Sequence, residues 1–233
     1  MLEFKNNPQQ LMSALDDFLT LFWGEHKIQI PPESAIEISD KLPIPLQLLY
    51  SFICQYPSPR NGRLFNIQDG LYINNDAVRC KGKFLIVGEN QGVWSCGTDL
   101  VKDKVDPPVW LLGNEEGDSW EFLCDSLSQF IVTFILRETF FGCRYEHPVQ
   151  LEQLANLGLE VTTLWSGTYA GNTYNRKYSP NAKEWIDKFY LVEDSFLVWN
   201  LRSSCGTNYK NASKLLDSLG FPRTNIQPKD LEF

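Results

Sequence analysis

The chain has 233 residues, of which 43% are hydrophobic and 21% are charged, and its formal net charge is −8. This composition allows one large domain or two small ones with a sizeable core, and it excludes a mainly disordered chain. The longest apolar runs are far shorter than the roughly 20 residues of a membrane-spanning helix, and the first thirty residues lack the pattern of a signal peptide. We therefore expect a cytoplasmic globular protein with no membrane association.

Hydrophobic residues spaced by three and four predict a first helix at residues 8–22 and a second helix after Asp40. The pattern then changes to short runs rich in Val, Ile, Phe and Trp, which predict strands at residues 65–73, 84–87, 93–96 and 109–112. The turn at residues 88–92, bounded by glycines, predicts an antiparallel hairpin. A third helix is expected to begin at Ser126, a good N-cap residue, and to end at residues 140–142.

A polar connection at residues 143–148 precedes a second region. There we predict a helix at 149–157, a strand at 159–165, a polar loop at 167–180, a hairpin turning at Glu193 and Asp194, and a helix at 208–219. Runs of strands flanked by helices predict an α+β fold with a mainly antiparallel central sheet and a C-terminal α+β extension. The predicted domains are residues 1–142 and 143–233, which could also pack as one unit.

The negative charge is concentrated in one part of the sequence. Residues 1–142 carry 11 basic and 19 acidic side chains, whereas residues 143–233 carry 10 of each. Within residues 89–125 there are nine acidic side chains and only two basic ones. Such a surface repels nucleic acids and anionic membranes, so we expect neither as a partner and favour a basic protein instead.

The common signatures of catalysis and metal binding are absent: the sequence contains no CxxC, HExxH, GxSxG, P-loop or GxGxxG motif. We expect the six cysteines to be reduced core residues, and His26 and His147 to be exposed or to cap helix ends. Cys143 lies four residues before His147, a spacing that permits a nucleophile–base pair but is common by chance. The acidic stretch contains no EF-hand ladder. We therefore predict no metal and no cofactor.

The acidic stretch at residues 89–125 also contains three tryptophans, and tryptophan beside charged residues is typical of interface hot spots. We expect Trp94 and Trp110 to be core residues of strands, whereas Trp120 follows a polar loop and could anchor a partner. The stretch is either a solvated surface or a partner-binding face. The predicted partner-binding residues are Asp99, Asp103, Asp106, Glu115, Glu116, Asp118, Trp120 and Glu121.

Several motifs in residues 35–142 resemble those of the SUKH superfamily, which includes bacterial immunity proteins and a yeast cell-wall glucan-synthesis regulator. The resemblance rests on Leu42-Pro43 with Leu46, Leu49 and Tyr50, on the strand–turn–strand of residues 84–94, on Asp99, on Pro108-Val109-Trp110, and on the helix opening at residues 126–130. The proline-rich loop at residues 55–62 departs from the family pattern, and residues 143–233 lie outside the match.

The resemblance implies an α+β domain that binds a protein and catalyses no reaction, because bacterial members are thought to neutralise toxin domains, often nucleases, by direct contact. An acidic face suits such a target, since a nuclease needs a basic surface to attract phosphate. We therefore expect a non-enzymatic immunity protein with a basic protein partner. Two alternatives stay open: a regulatory or scaffold module of the cell-wall-regulator type, and an uncharacterised enzyme with a site in residues 167–180 or around Cys143 and His147.

Overall fold

The computed structural model describes residues 2, 7–23, 42–55, 67–72, 79–100, 105–176 and 186–223. These residues form helices and two antiparallel sheets, which confirms the predicted α+β class. No helix among them is both long enough and apolar enough to cross a membrane.

The helices and strands follow one another along the whole described chain. The helices are α1 (Pro8–Trp23), α2 (Ile44–Gln55), α3 (Leu127–Gly142), α4 (Leu151–Asn156), α5 (Ala170–Arg176) and α6 (Lys210–Ser218). The strands are β1 (Asp69–Leu71), β2 (Arg79–Cys80), β3 (Lys83–Glu89), β4 (Trp94–Thr98), β5 (Val109–Gly113), β6 (Glu121–Cys124), β7 (Tyr145–His147), β8 (Val161–Gly167), β9 (Asp187–Val192), β10 (Phe196–Trp199) and β11 (Cys205–Thr207). The predicted helices at both ends of the chain and around Ser126 are therefore confirmed, whereas α5 lies where the sequence predicts a polar loop.

The first sheet has the strand order β1-β3-β4-β5-β6, with β2 paired to β3. The predicted hairpin is present: Gly92 closes the turn between β3 and β4 with a positive φ of 74°, and its N–H donates to the Glu89 carbonyl. Of the strand predicted at residues 65–73, residues 67–72 are described, and among them Asp69–Leu71 forms β1, whereas the backbone N–H groups of Ile67 and Gln68 donate to a side chain of α3.

The second sheet has the order β7-β11-β10-β9-β8. Its central hairpin turns at Glu193 and Asp194, as predicted, and both residues have a φ of 50°. The segment at residues 143–148, expected to be a polar connection, contributes β7 to the edge of this sheet. The second sheet therefore includes a strand that follows directly after α3, since β7 pairs with β11.

Helix α3 lies between the two sheets, and thirteen of its sixteen residues are buried. Ser126 caps it as predicted, accepting a hydrogen bond from the Gln129 N–H at 3.2 Å. On the side of the second sheet, the Trp165 indole N–H donates to the Thr133 hydroxyl at 2.9 Å. Helices α1 and α2 pack beside α3, and one continuous core joins these helices, the inner side of the first sheet and one side of the second sheet.

The other side of the second sheet has its own smaller core, formed with α4 and α6. Its buried members are Val149, Leu154, Val192, Phe196, Val198, Cys205 and Leu216. The molecule is therefore layered: first sheet, helices α1 to α3, second sheet, and finally α4 with α6. The face of the first sheet that points away from α3, called the outer face below, lies at one end of this stack.

Candidate functional site

The outer face of the first sheet carries aromatic side chains. Val109 and Leu111 of β5 point into the core, so the alternation along the strand places Trp110 on the outer face. Phe122 of β6 lies directly opposite Trp110 and shares that face. Trp110 is half-buried and Phe122 is 51% exposed, and their rings meet edge to face with centroids 5.7 Å apart.

Lys83 and Asp99 form an ion pair next to the Trp110 ring. The Lys83 ammonium lies 2.8 Å from Oδ1 of Asp99 and 4.0 Å from the centroid of the Trp110 ring. The Trp110 indole N–H donates to the other carboxylate oxygen of Asp99 at 3.1 Å. Asp99, predicted to face a partner, is therefore held in place by two groups of its own chain, yet its side chain remains 34% exposed.

Trp120 lies across the same face. Its indole N–H donates to the Cys80 carbonyl at 3.3 Å, and its ring covers Gly97 so closely that a Cβ there would stand 2.8 Å from a ring carbon. The Lys81 ammonium donates to the Asp118 carbonyl, which ties the same loop to the turn between β2 and β3. Trp120, the predicted anchor, is thus half-buried and fixed in place.

The loop between β5 and β6 supplies the acidic rim of this face. Glu115 and Glu116 of this loop are exposed; Glu121, the first residue of β6, is also exposed but lies opposite Leu111, at the edge of the sheet. Asp118 is half-buried and shapes the loop, because its carboxylate accepts from the Glu115 N–H and its own N–H donates to the Glu115 carbonyl, both at 3.1 Å. The outer face therefore combines an aromatic centre with a carboxylate rim.

The structure places the other predicted acids differently. Asp106 lies at the start of α3, where its carboxylate accepts from the Ser126 hydroxyl and from both the hydroxyl and the N–H of Ser128. Asp103 lies outside the described residues. Trp110 was expected in the core, as was Trp94; Trp94 is buried, but the pairing of Trp110 with Gly97 and Phe122 places Trp110 on the outer face.

Phe122 is the member of this face that the sequence interpretation missed. It belongs to β6, for which the sequence analysis predicts no strand. The signal was present in the order Glu121-Phe122-Leu123-Cys124, in which a strand would place Phe122 and Leu123 on opposite faces. Leu123 is indeed 8% exposed, against 51% for Phe122.

The proposed Cys143–His147 pair is not brought together by hydrogen bonds. The Cys143 thiol donates to the Thr139 carbonyl at 3.3 Å. His147, expected to be exposed or to cap a helix, is fully buried: Nδ1 lies 2.7 Å from the Phe221 carbonyl and Nε2 lies 2.9 Å from the Ser213 hydroxyl. The expectation was wrong because β7 places this side chain beneath α6.

The contact between Ser213 and His147 has the length of a nucleophile–base hydrogen bond. A carbonyl only accepts, so Nδ1 carries a proton and donates to the Phe221 carbonyl. Both side chains are buried, with Ser213 1% exposed, so a substrate cannot reach the hydroxyl in this conformation. The bond therefore serves to fasten α6 to β7.

Thiol and metal chemistry have little support among the described residues. Burial raises the pKa of the Cys124 thiol to about 11 and that of the Cys205 thiol to about 12, and it raises the pKa of Cys96 well above its ordinary value. These three thiols are protonated at neutral pH and are poor nucleophiles. Within the described ranges, no three His, Cys, Asp or Glu side chains are grouped so as to hold a metal ion.

A second polar cluster, which the sequence did not indicate, is buried around Arg137 of α3. The guanidinium is stacked between Tyr169 and Trp199, 3.9 and 4.4 Å from their ring centroids, and pairs with Asp187 at 3.3 Å. The Tyr169 hydroxyl donates to Asp69 at 2.6 Å, which extends the cluster to the first sheet. These groups face one another in the interior and link the two sheets through α3.

Comparison of the chain with protein-family models, with curated proteins and with solved structures finds no match in any of the three. The resemblance to the SUKH superfamily therefore stays a prediction.

Proposed function

We propose that this chain is a non-enzymatic binding module that recognises a basic protein through the outer face of its first sheet. The observation that supports this proposal is the exposed ring of Phe122. Phe122 belongs to β6, the strand that follows the acidic loop, and its ring packs against Trp110 of β5. Protein interfaces commonly have such a centre of aromatic side chains within a polar rim. Aromatic anchors slow dissociation, whereas the rim charges accelerate association.

Charge complementarity favours a basic partner. Lys83 offsets the charge of Asp99. The exposed loop acids Glu115 and Glu116, together with Glu121 at the edge of the sheet, add negative charge next to this face. A field of this kind raises association rates with an oppositely charged surface by roughly 10- to 1,000-fold at low salt. Under the SUKH resemblance, the partner is a toxin domain of the nuclease type, and binding blocks the basic surface that such a domain uses for phosphate.

The interior of the molecule supports a binding role over a catalytic one. The Ser213–His147 contact is sealed from solvent, and Cys143 bonds to a backbone carbonyl. On the outer face, the exposed Phe122 and Glu116 and the partly exposed Asp99 are groups suited to contacts with a protein. This arrangement suits recognition.

Affinity capture from the lysate of the protein's own host, at low and at high salt, tests the proposal. The test variant carries Glu115→Lys, Glu116→Lys and Glu121→Lys. The matched control carries the same charge change on exposed acids of other elements, as Asp17→Lys, Glu152→Lys and Glu160→Lys. The unmodified protein and the control should retain one basic protein that high salt releases, and the test variant should lose it.

The captured protein is then assayed for nuclease or other toxic activity with and without this chain. Retention of the partner by the test variant would show that the outer face is the wrong surface. Capture of several acidic or neutral proteins, each held weakly and insensitive to salt, would replace the immunity function by the regulatory alternative. All variants should unfold at the same temperature as the parent protein, because exposed charges contribute little to stability.

A further inference from the structure

We infer that the outer face receives an arginine side chain of the partner, with the guanidinium stacked on Phe122 and hydrogen-bonded to Asp99. This inference rests on the proposed function and specifies the chemistry that the partner must present. It follows from three features of the face: an open aromatic ring, a fixed carboxylate with free acceptor capacity, and a neighbouring lysine that already occupies the other ring.

Phe122 is the open ring. Half of its side-chain surface is exposed, and the perpendicular contact with Trp110 holds it in one orientation. Trp110 is less available, because the Lys83 ammonium lies 4.0 Å from its centroid. Trp120 is fixed over Gly97 by its hydrogen bond to Cys80. A cation arriving from solvent therefore finds its aromatic platform at Phe122.

Asp99 is the fixed carboxylate. Its two oxygens can accept about four hydrogen bonds, and the structure shows one from Lys83 and one from the Trp110 indole. One third of the side chain remains exposed, and the Trp110 ring that binds it also contacts Phe122. Because Lys83 and Trp110 already hold the carboxylate in place, Asp99 loses little conformational entropy when a partner binds to it.

Guanidinium suits this site better than ammonium. It is planar and weakly hydrated, so it can stack on a ring and donate to a carboxylate at the same time, whereas an ammonium is compact and strongly hydrated. Lys83 already fills the ammonium position between Asp99 and Trp110. Since Lys83 also cancels the charge of Asp99, long-range attraction of the arginine depends on the adjacent loop acids.

Calorimetric titration of the full chain with octa-arginine and with octa-lysine tests the inference. At low salt, octa-arginine should bind about two- to fivefold more tightly than octa-lysine, the range expected for one exposed cation–π contact. Phe122→Ala should remove this preference by weakening the octa-arginine complex alone. The matched control is Leu215→Ala, which truncates a similarly exposed apolar residue on α6, in the layer farthest from the outer face, and it should preserve the preference.

Phe122→Leu keeps an apolar side chain without a π face, so it should behave like Phe122→Ala, and it provides a second readout if the alanine variant folds poorly. Equal affinities for the two peptides, or equal weakening of both by Phe122→Ala, would overturn the arginine site. The proposed acidic face would then survive only if Glu115→Lys, Glu116→Lys and Glu121→Lys together abolish binding of both peptides. If neither peptide binds the parent protein, both the site and the face are wrong.

Discussion

Glu138 fastens the start of β1 to the central helix. The side chain is 1% exposed, and its two oxygens accept the N–H groups of Ile67, Gln68 and Asp69 at 2.6, 3.0 and 3.2 Å. Burial outweighs these hydrogen bonds and raises the pKa of Glu138 from its ordinary value of 4.5 to about 7. Burial also raises the pKa of the neighbouring Asp69, so the folded state binds protons more tightly than the unfolded chain.

This shift predicts how stability depends on pH. A group with a raised folded pKa stabilises the protein fully below its unfolded pKa, and this contribution is lost as the pH rises through the folded pKa. The free energy of unfolding should therefore fall between about pH 5 and pH 8, by about 3 kcal/mol from Glu138. Urea denaturation at a series of pH values measures this slope.

Glu138→Gln removes the titration and should flatten the profile. Glu152→Gln, on the exposed side of α4, is the control and should leave the slope unchanged. The variant will also be less stable at low pH, because an amide cannot accept three N–H donors as a carboxyl group does. A Glu138→Gln profile parallel to that of the parent protein would contradict this interpretation of Glu138.

Helix α3 depends on Asp106 for its first turn. The carboxylate accepts three hydrogen bonds from Ser126 and Ser128, and Ser126 in turn caps Gln129. A negative charge at a helix N-terminus is itself stabilising. Asp106→Ala should lower the free energy of unfolding by about 1–2 kcal/mol.

The same substitution separates a structural role for Asp106 from the partner-facing role that the sequence predicts for it. We expect Asp106→Ala to leave partner capture and octa-arginine affinity unchanged in the folded protein. Glu116→Ala, in the exposed loop, should do the opposite and weaken the salt-dependent binding without a measurable change in stability. Loss of binding by Asp106→Ala at full stability would return this carboxylate to the binding face.

The sequence predicts those features of the elements that depend on residues close together in the chain. The Ser126 cap and the hairpin turns at Gly92 and Glu193 depend on residues a few positions apart, so they can be read locally. The hydrogen bonds at the start of β1 depend on Glu138, about seventy residues along the chain. Alternation in β5 separates Trp110 from Val109 and Leu111, but which side of the sheet the helices cover depends on contacts between residues far apart in the sequence.

At the scale of the whole molecule, the buried ion pair of Arg137 and Asp187 connects α3 to the second sheet. Asp187 is fully buried and also accepts from the Trp199 indole at 2.8 Å. Asp187→Asn keeps the shape but removes the ion-pair partner of the buried Arg137, which should cost about 3–5 kcal/mol. The more accessible pair of Lys83 and Asp99 provides the control: Asp99→Asn should cost about 1 kcal/mol. If Asp187→Asn and Asp99→Asn lower the free energy of unfolding equally in chemical denaturation, the buried pair contributes no more to stability than the pair of Lys83 and Asp99.

The change in charge balance near residue 142 suggested a boundary, yet the main core crosses that position. The face of α3 toward the second sheet contacts Trp165 through Thr133 and Trp199 through Phe140, and its Arg137 forms an ion pair with Asp187 of β9. A fragment of residues 1–142 would expose this face and would lack Asp187, the ion-pair partner of Arg137.

We therefore expect the fragment of residues 1–142 to show no cooperative thermal transition, whereas the full chain unfolds in a single one. Circular dichroism melts and amide NMR dispersion distinguish the two cases. Adding residues 143–233 as a separate chain should restore dispersion, because the missing sheet supplies both the apolar cover of α3 and the counter-charge of Arg137. A sharp transition of residues 1–142 alone would show that the first sheet and its helices fold independently, and that the second sheet is an addition to an already complete domain.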